Sequence, residues 1–286
     1  MHGTRLLART LSTCTVLDKK LHNAWQYHSR SDHHSKVACW GILFDLLLTS
    51  RVLADHFRER RVAFGINHEM RDFRTGRKKN LDLVICTPGT AKEESRSQLD
   101  FRDLAKDWKI ALDEEAHRRL DALPPIRQEL VGEVHVALEA KACMTAHRKA
   151  RPRLYDELSS SHQTIHGSSA NAIAAGFVMV NAADEFISPD RNKWPLAERP
   201  AAITKHKQPD DTLAVLEKIR EIPRRASTQE AGFDALGVVV VNCRNDGKTP
   251  FKIVEVAPSV TAGDVLHYDS MIRRTAKLYE SRFPQA

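Results

Sequence analysis

Long apolar runs are missing from this 286-residue chain. The longest, Ala38 to Leu48, is broken by Asp45 and falls short of the roughly 20 residues that a bilayer crossing needs, so no membrane span is expected. Cysteine is sparse and scattered. Cys14, Cys39, Cys86, Cys143 and Cys243 are odd in number, far apart and form no C-x-x-C pair. That pattern argues against a disulfide framework or a structural zinc site and fits reduced thiols in a cytoplasmic setting. There is no G-x-x-x-x-G-K-[ST], G-x-G-x-x-G or G-x-S-x-G, so ATP-driven, dinucleotide-dependent and nucleophile-elbow chemistries have no anchor. Repeats and low-complexity tracts are absent as well. Acidic residues are in deficit: 37 Asp and Glu against 44 Lys and Arg leave a net charge of +7, which favours a polyanionic partner.

What is present is enough apolar residue, 42%, for a sizeable core. The opening residues, with Arg5 and Arg9 and no acid before Leu17, read as a frayed polar start to a first helix rather than an organellar presequence. Leu17, Leu21 and Ala24 suggest a short helical stripe. The polar segment His28 to His34 reads as a capped turn, since adjacent histidines point apart on a helix and make a poor metal site. From Ser35 to about Phe57, Val37, Trp40, Phe44, Leu47, Leu48 and Val52 recur at helical spacing behind a Ser31 or Asp32 cap. Val62, Phe64 and Ile66 alternate, and Leu81–Cys86 is a buried-type run, so the two form an antiparallel hairpin with a long basic tip around Thr75-Gly76. Residues 90 to 123 carry Phe101, Leu104, Trp108, Leu112, Ala116 and Leu120 on one helical face, an amphipathic helix or helix pair that Pro124-Pro125 ends.

The remainder alternates strand and helix. Val134–Cys143 is a strand, His147 to Ser161 a basic helix followed by a short Ala-rich one, and Gly176–Asn181 a strand reached by a parallel crossover. After a proline-rich stretch from Pro189 to Pro209 come a helix from Asp210 to Glu221 and a hairpin, Gly237–Cys243 with Phe251–Val256, turning on Asn245-Asp246-Gly247. A closing helix runs from Thr261 or Asp264 to Phe283. The expectation is an α/β fold in one compact unit. A helical region, 1–60, packs on a core, 61–286, that has a helical insertion at 90–125 and a central mixed sheet with helices on both faces.

Three charges stand out because they sit in apolar strands. Side chains alternate along a strand, so Glu139 and Lys141 project from one face, and Asp82 interrupts the neighbouring run. Buried ionised groups are costly unless paired or holding a metal. If the hairpin turns on Thr75-Gly76, Glu69 falls opposite Asp82 as a third acid. Converging carboxylates make a hard oxygen site suited to Mg²⁺ or Mn²⁺, which polarises a phosphodiester and lowers the pKa of water. Lys141 orients or deprotonates the attacking water and balances phosphate charge. Two basic clusters, Arg77, Lys78 and Lys79 on one side and Arg148, Lys149, Arg151 and Arg153 on the other, flank the site and hold a nucleic-acid backbone. The plain alternative is a cross-strand ion pair on an open sheet face.

With Leu81-Asp82 as a first motif and Glu139-Ala140-Lys141 as a second, and with the order of elements from Arg61 to Asn181, the chain resembles the PD-(D/E)xK nuclease superfamily. The resemblance implies a restriction-endonuclease-like α/β/α sandwich and a metal-dependent endodeoxyribonuclease of the restriction or genome-defence kind. It implies Asp82, Glu139 and the Ala140 backbone carbonyl as metal ligands and Lys141 as the catalytic lysine. The upstream acid that the family often adds is assigned to Glu69, with Glu59 behind it. Leu81 stands where the name-giving pattern has proline, a mild departure because the carboxylate carries the chemistry. Double-stranded DNA and a second copy of the chain, as a symmetric dimer, are the implied partners. A non-cleaving nucleic-acid-binding module of the same fold and a structure-specific repair or recombination nuclease are the alternatives.

Overall fold

Six runs rich in small and β-branched residues pair into the sheet that organises the chain. The structure, a computed structural model, describes residues 1–89 and 99–286. In chain order the elements are α1 (Gly3–Leu11), β1 (Val16–Leu17), β2 (Ala24–Trp25), α2 (His33–Thr49), α3 (Arg51–Arg58), β3 (Ala63–Arg71) and β4 (Lys78–Pro88). Then come α4 (Phe101–Asp107), α5 (Glu114–Asp121), β5 (Val131–Cys143), α6 (His147–Ser168), β6 (Ile173–Asn181), β7 (Glu185–Phe186) and β8 (Thr204–Lys205). The chain closes with α7 (Asp210–Arg220), β9 (Ala235–Asn242), β10 (Lys252–Ile253) and α8 (Tyr268–Arg282).

The main sheet has the order β10-β9-β6-β5-β4-β3. Strands β3, β4 and β5 are antiparallel neighbours, β5, β6 and β9 run parallel, and β10 returns antiparallel. The parallel steps need crossovers, which α6 and α7 supply. All nine residues of β6 are buried, as expected of a strand covered on both faces. One face packs on α1, α2, α4 and α8 through Trp40, Phe44, Phe101, Leu138, Phe177 and Tyr279. The other packs on α6 and α7 through Leu158, Val178, Val215 and Phe233. The mixed sheet with helices on both faces is therefore as expected.

Helix α2 is buried from Val37 to Leu47 because it is apolar all round. Asp45, which breaks that apolar run, is spent on α1: its carboxylate accepts from the His2 and Gly3 amides at 2.7 and 2.8 Å and from the Tyr268 hydroxyl at 2.9 Å. A free helix N-terminus is thus capped by a buried acid. Ordered, buried α1 replaces the frayed start that its composition suggested.

Several local expectations are corrected. Leu17, Leu21 and Ala24 form no helix; β1 and β2 pair as a short hairpin there. The helix expected over Ser35 to Phe57 breaks at Ser50, which is extended and whose hydroxyl caps α3 at Leu53, and the two pieces meet at 101°. Helix α6 runs on to Ser168, and the Ala-rich segment after it is the start of β6. The insertion holds two short helices, each capped by an aspartate, Asp100 and Asp113, while 90–98 lie outside the described residues. The closing helix starts at Tyr268, and its apolar stripe, Met271, Ile272, Thr275, Ala276 and Tyr279, is buried in the core rather than left for a partner. No single helix among the described residues is long and apolar enough to cross a membrane.

Candidate metal centre and phosphate cleft

The candidate site lies where β4 and β5 part. Their ladder runs through Ile85↔Val136, Val84↔Ala137 and Leu83↔Leu138. One step further the Ala140 amide donates to the Asp82 carboxylate at 2.8 Å, a side chain taking the place of a strand bond. Both backbone groups of a residue in an extended strand leave on the same side, so the Ala140 carbonyl also faces Asp82 rather than β6. The neighbourhood is kinked: Leu81 and Leu83, two apart, belong to cores on opposite sides of the sheet, and Asn67 of the adjoining strand takes a φ of 51°. Asp82 faces the same cleft as Ser35 at the start of α2, whose hydroxyl donates to the Asp32 carbonyl at 2.9 Å.

Glu139 is 2% exposed and projects toward α6. Its Oε1 lies 2.5 Å from Lys141 Nζ and 3.9 Å from Lys79 Nζ, and its buried Oε2 has no hydrogen-bond partner among the described residues. Burial raises the pKa of Asp82, against the pull of the Ala140 amide and Lys141. Burial likewise raises Glu139, more than Lys141 lowers it, and the Asp82 charge adds to the rise. For Lys141 burial works against the ammonium, but Glu139, Asp82 and Glu157 outweigh it and the pKa stands above the usual lysine value. Lys79 is moved the other way, because burial exceeds the help it receives from Glu139. Burial thus works against the ionised form of both carboxylates, and Lys141 offsets it only in part.

A cleft of about 470 Å³ opens over this point. Asp82, Ala140 and Lys141 line its floor, Lys149, Arg153 and Glu157 its α6 wall, and Tyr27, His34 and Ser35 the opposite wall. That opposite wall is held to the body by Asn245, which exchanges hydrogen bonds of 2.9 and 3.0 Å with the Tyr27 backbone. The His34 ring packs on Tyr27 at 4.8 Å between centroids, and burial brings its pKa down to about 4. His34 therefore stays neutral at neutral pH.

Of the residues singled out from the sequence, Asp82, Ala140, Glu139 and Lys141 come together. Glu69 does not join them: it pairs with Asn80, two residues toward the hairpin tip, and its carboxylate binds Lys78 at 2.7 Å. The hairpin closes on Arg74-Thr75 because Asp72 gathers the Arg74 amide and the Thr75 hydroxyl, at 2.8 and 2.6 Å. Glu59, the second choice, is tied to Arg61 at 2.7 Å. Lys149 and Arg153 line the cleft, whereas Arg148 and Arg151, on other faces of α6, do not. Arg77 and Lys78 are exposed near the hairpin tip, and Lys79 turns inward to the Glu157 carbonyl and Ser161 hydroxyl at 2.7 and 2.8 Å. Glu157, His34 and Ser35 were missed. Glu157 had a signal, since Lys149, Arg153 and Glu157 stand at i, i+4 and i+8 on one helical face.

Among the described residues no group of three or more His, Cys, Asp or Glu side chains is placed to hold a metal ion. The donors at hand are two carboxylates and a backbone carbonyl. That set fits Mg²⁺, which keeps several waters and takes one or two protein carboxylates, and it does not fit zinc, whose structural sites want four nitrogen or sulfur ligands. No protein-family model, curated protein or solved structure matches the chain.

Proposed function

We propose that the chain is a Mg²⁺- or Mn²⁺-dependent endodeoxyribonuclease with a PD-(D/E)xK, restriction-endonuclease-like core, of the restriction or genome-defence kind. One observation carries the reading: on adjacent strands, half-buried Asp82 takes the Ala140 amide, and buried Glu139, the residue before, pairs with Lys141 at a cleft whose α6 wall offers Lys149 and Arg153. The order of three antiparallel strands, helix and parallel strand around that point supports the same family. Two features favour this reading over an ion pair serving stability alone: Glu139 Oε2 has no partner among the described residues, and Asp82 nearby is a second carboxylate whose pKa burial raises.

Asp82, Glu139 and the Ala140 carbonyl would hold the ion. When bound, it supplies Lewis-acid polarisation of the phosphodiester and lowers the pKa of water. Lys149 and Arg153 bind the phosphate backbone and set the scissile group over the floor. Arg153 is aimed by its 2.6 Å pair with Glu157. Lys141, charged in the resting protein, orients the nucleophilic water and balances the charge that grows on the phosphate. Cutting both strands of a duplex calls for two sites related by a twofold, hence a homodimer on DNA.

The test is supercoiled plasmid incubated with the protein and Mg²⁺, Mn²⁺ or EDTA. Metal-dependent nicking or linearisation is expected. Failure to cut double-stranded, single-stranded, methylated or branched DNA with either metal moves the assignment to a binding module of the same fold.

A further inference from the structure

Glu139 serves Lys141 through Oε1, 2.5 Å from Nζ, while its Oε2 has no hydrogen-bond partner among the described residues. A divalent cation on that carboxylate would put two positive charges beside the ammonium and compete with it for one acid, so Lys141 needs a second carboxylate in a half-buried place. Lys79 cannot make room, because its Nζ is already fixed by the Glu157 carbonyl and the Ser161 hydroxyl. Glu157 is 31% exposed and lies across from Lys141 with its two oxygens divided. Oε1 holds Arg153 at 2.6 Å, and Oε2 stands 3.6 Å from Lys141 Nζ, near enough to pair after a small rotation but not yet closed.

We propose that Glu157 is the positioning residue of this site: it receives Lys141 when a divalent cation takes Glu139, and so holds the lysine over the cleft in the loaded protein. This rests on the metal-dependent reading above. The exchange tightens a pair that is already half made, Lys141 moving toward Glu157 as the cation takes its place on Glu139. It also links the metal to the phosphate wall, since the same carboxylate aims Arg153. Metal occupancy and the placement of both cationic side chains become a single event.

The linkage is read from binding, without turnover. Mn²⁺ affinity is measured by calorimetry on wild type, Glu157→Gln, Lys141→Met and the double variant, with folding checked by thermal melting. Glu157→Gln, at a half-buried position and close in shape, is expected to weaken Mn²⁺ binding by about fivefold or more, the lower range of site-to-site coupling. Lys141→Met, which removes the competitor, is expected to strengthen it. In the Lys141→Met background the Glu157→Gln penalty disappears, because there is no ammonium left to relocate. A penalty that persists in full there is through-space charge alone and overturns the proposal, as does an affinity unchanged by Glu157→Gln. Should Lys141→Met not fold, lysine-selective ¹³C spectra keep the test, with Lys141 assigned from Lys141→Arg. Its signal moves on addition of Mg²⁺ in wild type and stays in place in Glu157→Gln; equal movement in both refutes the handover. Wild type that binds no Mn²⁺ sinks the metal-dependent reading itself, whereas intact binding with no effect of Glu157→Gln sinks the handover alone.

Discussion

Replacing Glu139 with glutamine removes a charge and keeps the shape, and the fold should gain from it in the absence of metal. The folded-state pKa of Glu139 is raised by burial even after the attraction of Lys141 is included. A carboxylate shifted up binds its proton more tightly in the folded chain than in the unfolded one, so stability falls as pH climbs from the unfolded value near 4.3 through the folded one. Each pH unit in that window costs up to about 1.4 kcal/mol per group. Glutamine is exempt from this cost, and its carbonyl still accepts from Lys141, which retains Glu157 nearby. Each kcal/mol so gained would raise Tm by a few degrees, about 2–4 °C on the scale of larger domains. The assay is thermal melting in EDTA from pH 4.5 to 8. Glu139→Gln should melt at or above wild type at pH 8, with the advantage shrinking toward pH 4.5. Melting many degrees below wild type at pH 8 would mean that the Glu139 and Lys141 pair is a stabilising element, and the argument from a strained carboxylate would fail.

Other outcomes follow from the same geometry. Lys149→Ala with Arg153→Ala should weaken duplex DNA binding in EDTA and lower the salt slope by about 2, roughly 0.9 per lost phosphate contact; Arg148→Ala, off the cleft, should change both less. Asp234 is held by Arg225 at 2.9 Å, Arg282 at 2.6 Å and the Ala174 amide at 2.9 Å, and both Asp234 and Arg225 are 1% exposed. Burial opposes the Asp234 carboxylate, but hydrogen bonds from His166, Arg225 and Arg282 outweigh it and depress its pKa. Asp234→Ala strands a buried guanidinium and should cost about 3–5 kcal/mol at neutral pH, read by chemical denaturation. Because the folded carboxylate titrates well below its unfolded value near 3.9, its contribution is complete above that value and is lost progressively as pH falls from there through the folded pKa, so the gap to wild type should narrow steadily below pH 4; a gap constant with pH refutes the assignment.

Asp82, Glu139 and Lys141 were legible because charge inside apolar strands is rare and alternation puts residues two apart on one face. The parallel step from β5 to β6 was legible because a helix separates two buried-type runs, whereas Gly237–Cys243 was read only as half of a hairpin and its parallel pairing with β6 was not. Glu157 was hidden by its company: a carboxylate on a charged helix resembles any solvated face until the sheet behind it is known. Glu69 failed on a local detail, the Asp72 hydrogen bonds that close the hairpin on Arg74-Thr75, which shift the register without disturbing the hydrophobic pattern. The break at Ser50 was invisible because the apolar spacing continues across it. His34 and Ser35 line the cleft from the start of α2, a tertiary placement that periodicity does not carry.

The central claim, that Asp82 and Lys141 perform metal-dependent strand cleavage within one cleft, is tested most directly by measuring cutting and binding on the same variants. Duplex binding is measured in EDTA and single-turnover cleavage in Mg²⁺ with protein in excess. Lys141→Ala should bind DNA as wild type does and cut at least about a hundredfold more slowly, the usual cost of losing an acid–base group. Asp82→Ala should bind and not cut. Cleavage by either variant at the wild-type rate, or loss of binding and cutting together in a folded variant, would contradict the account.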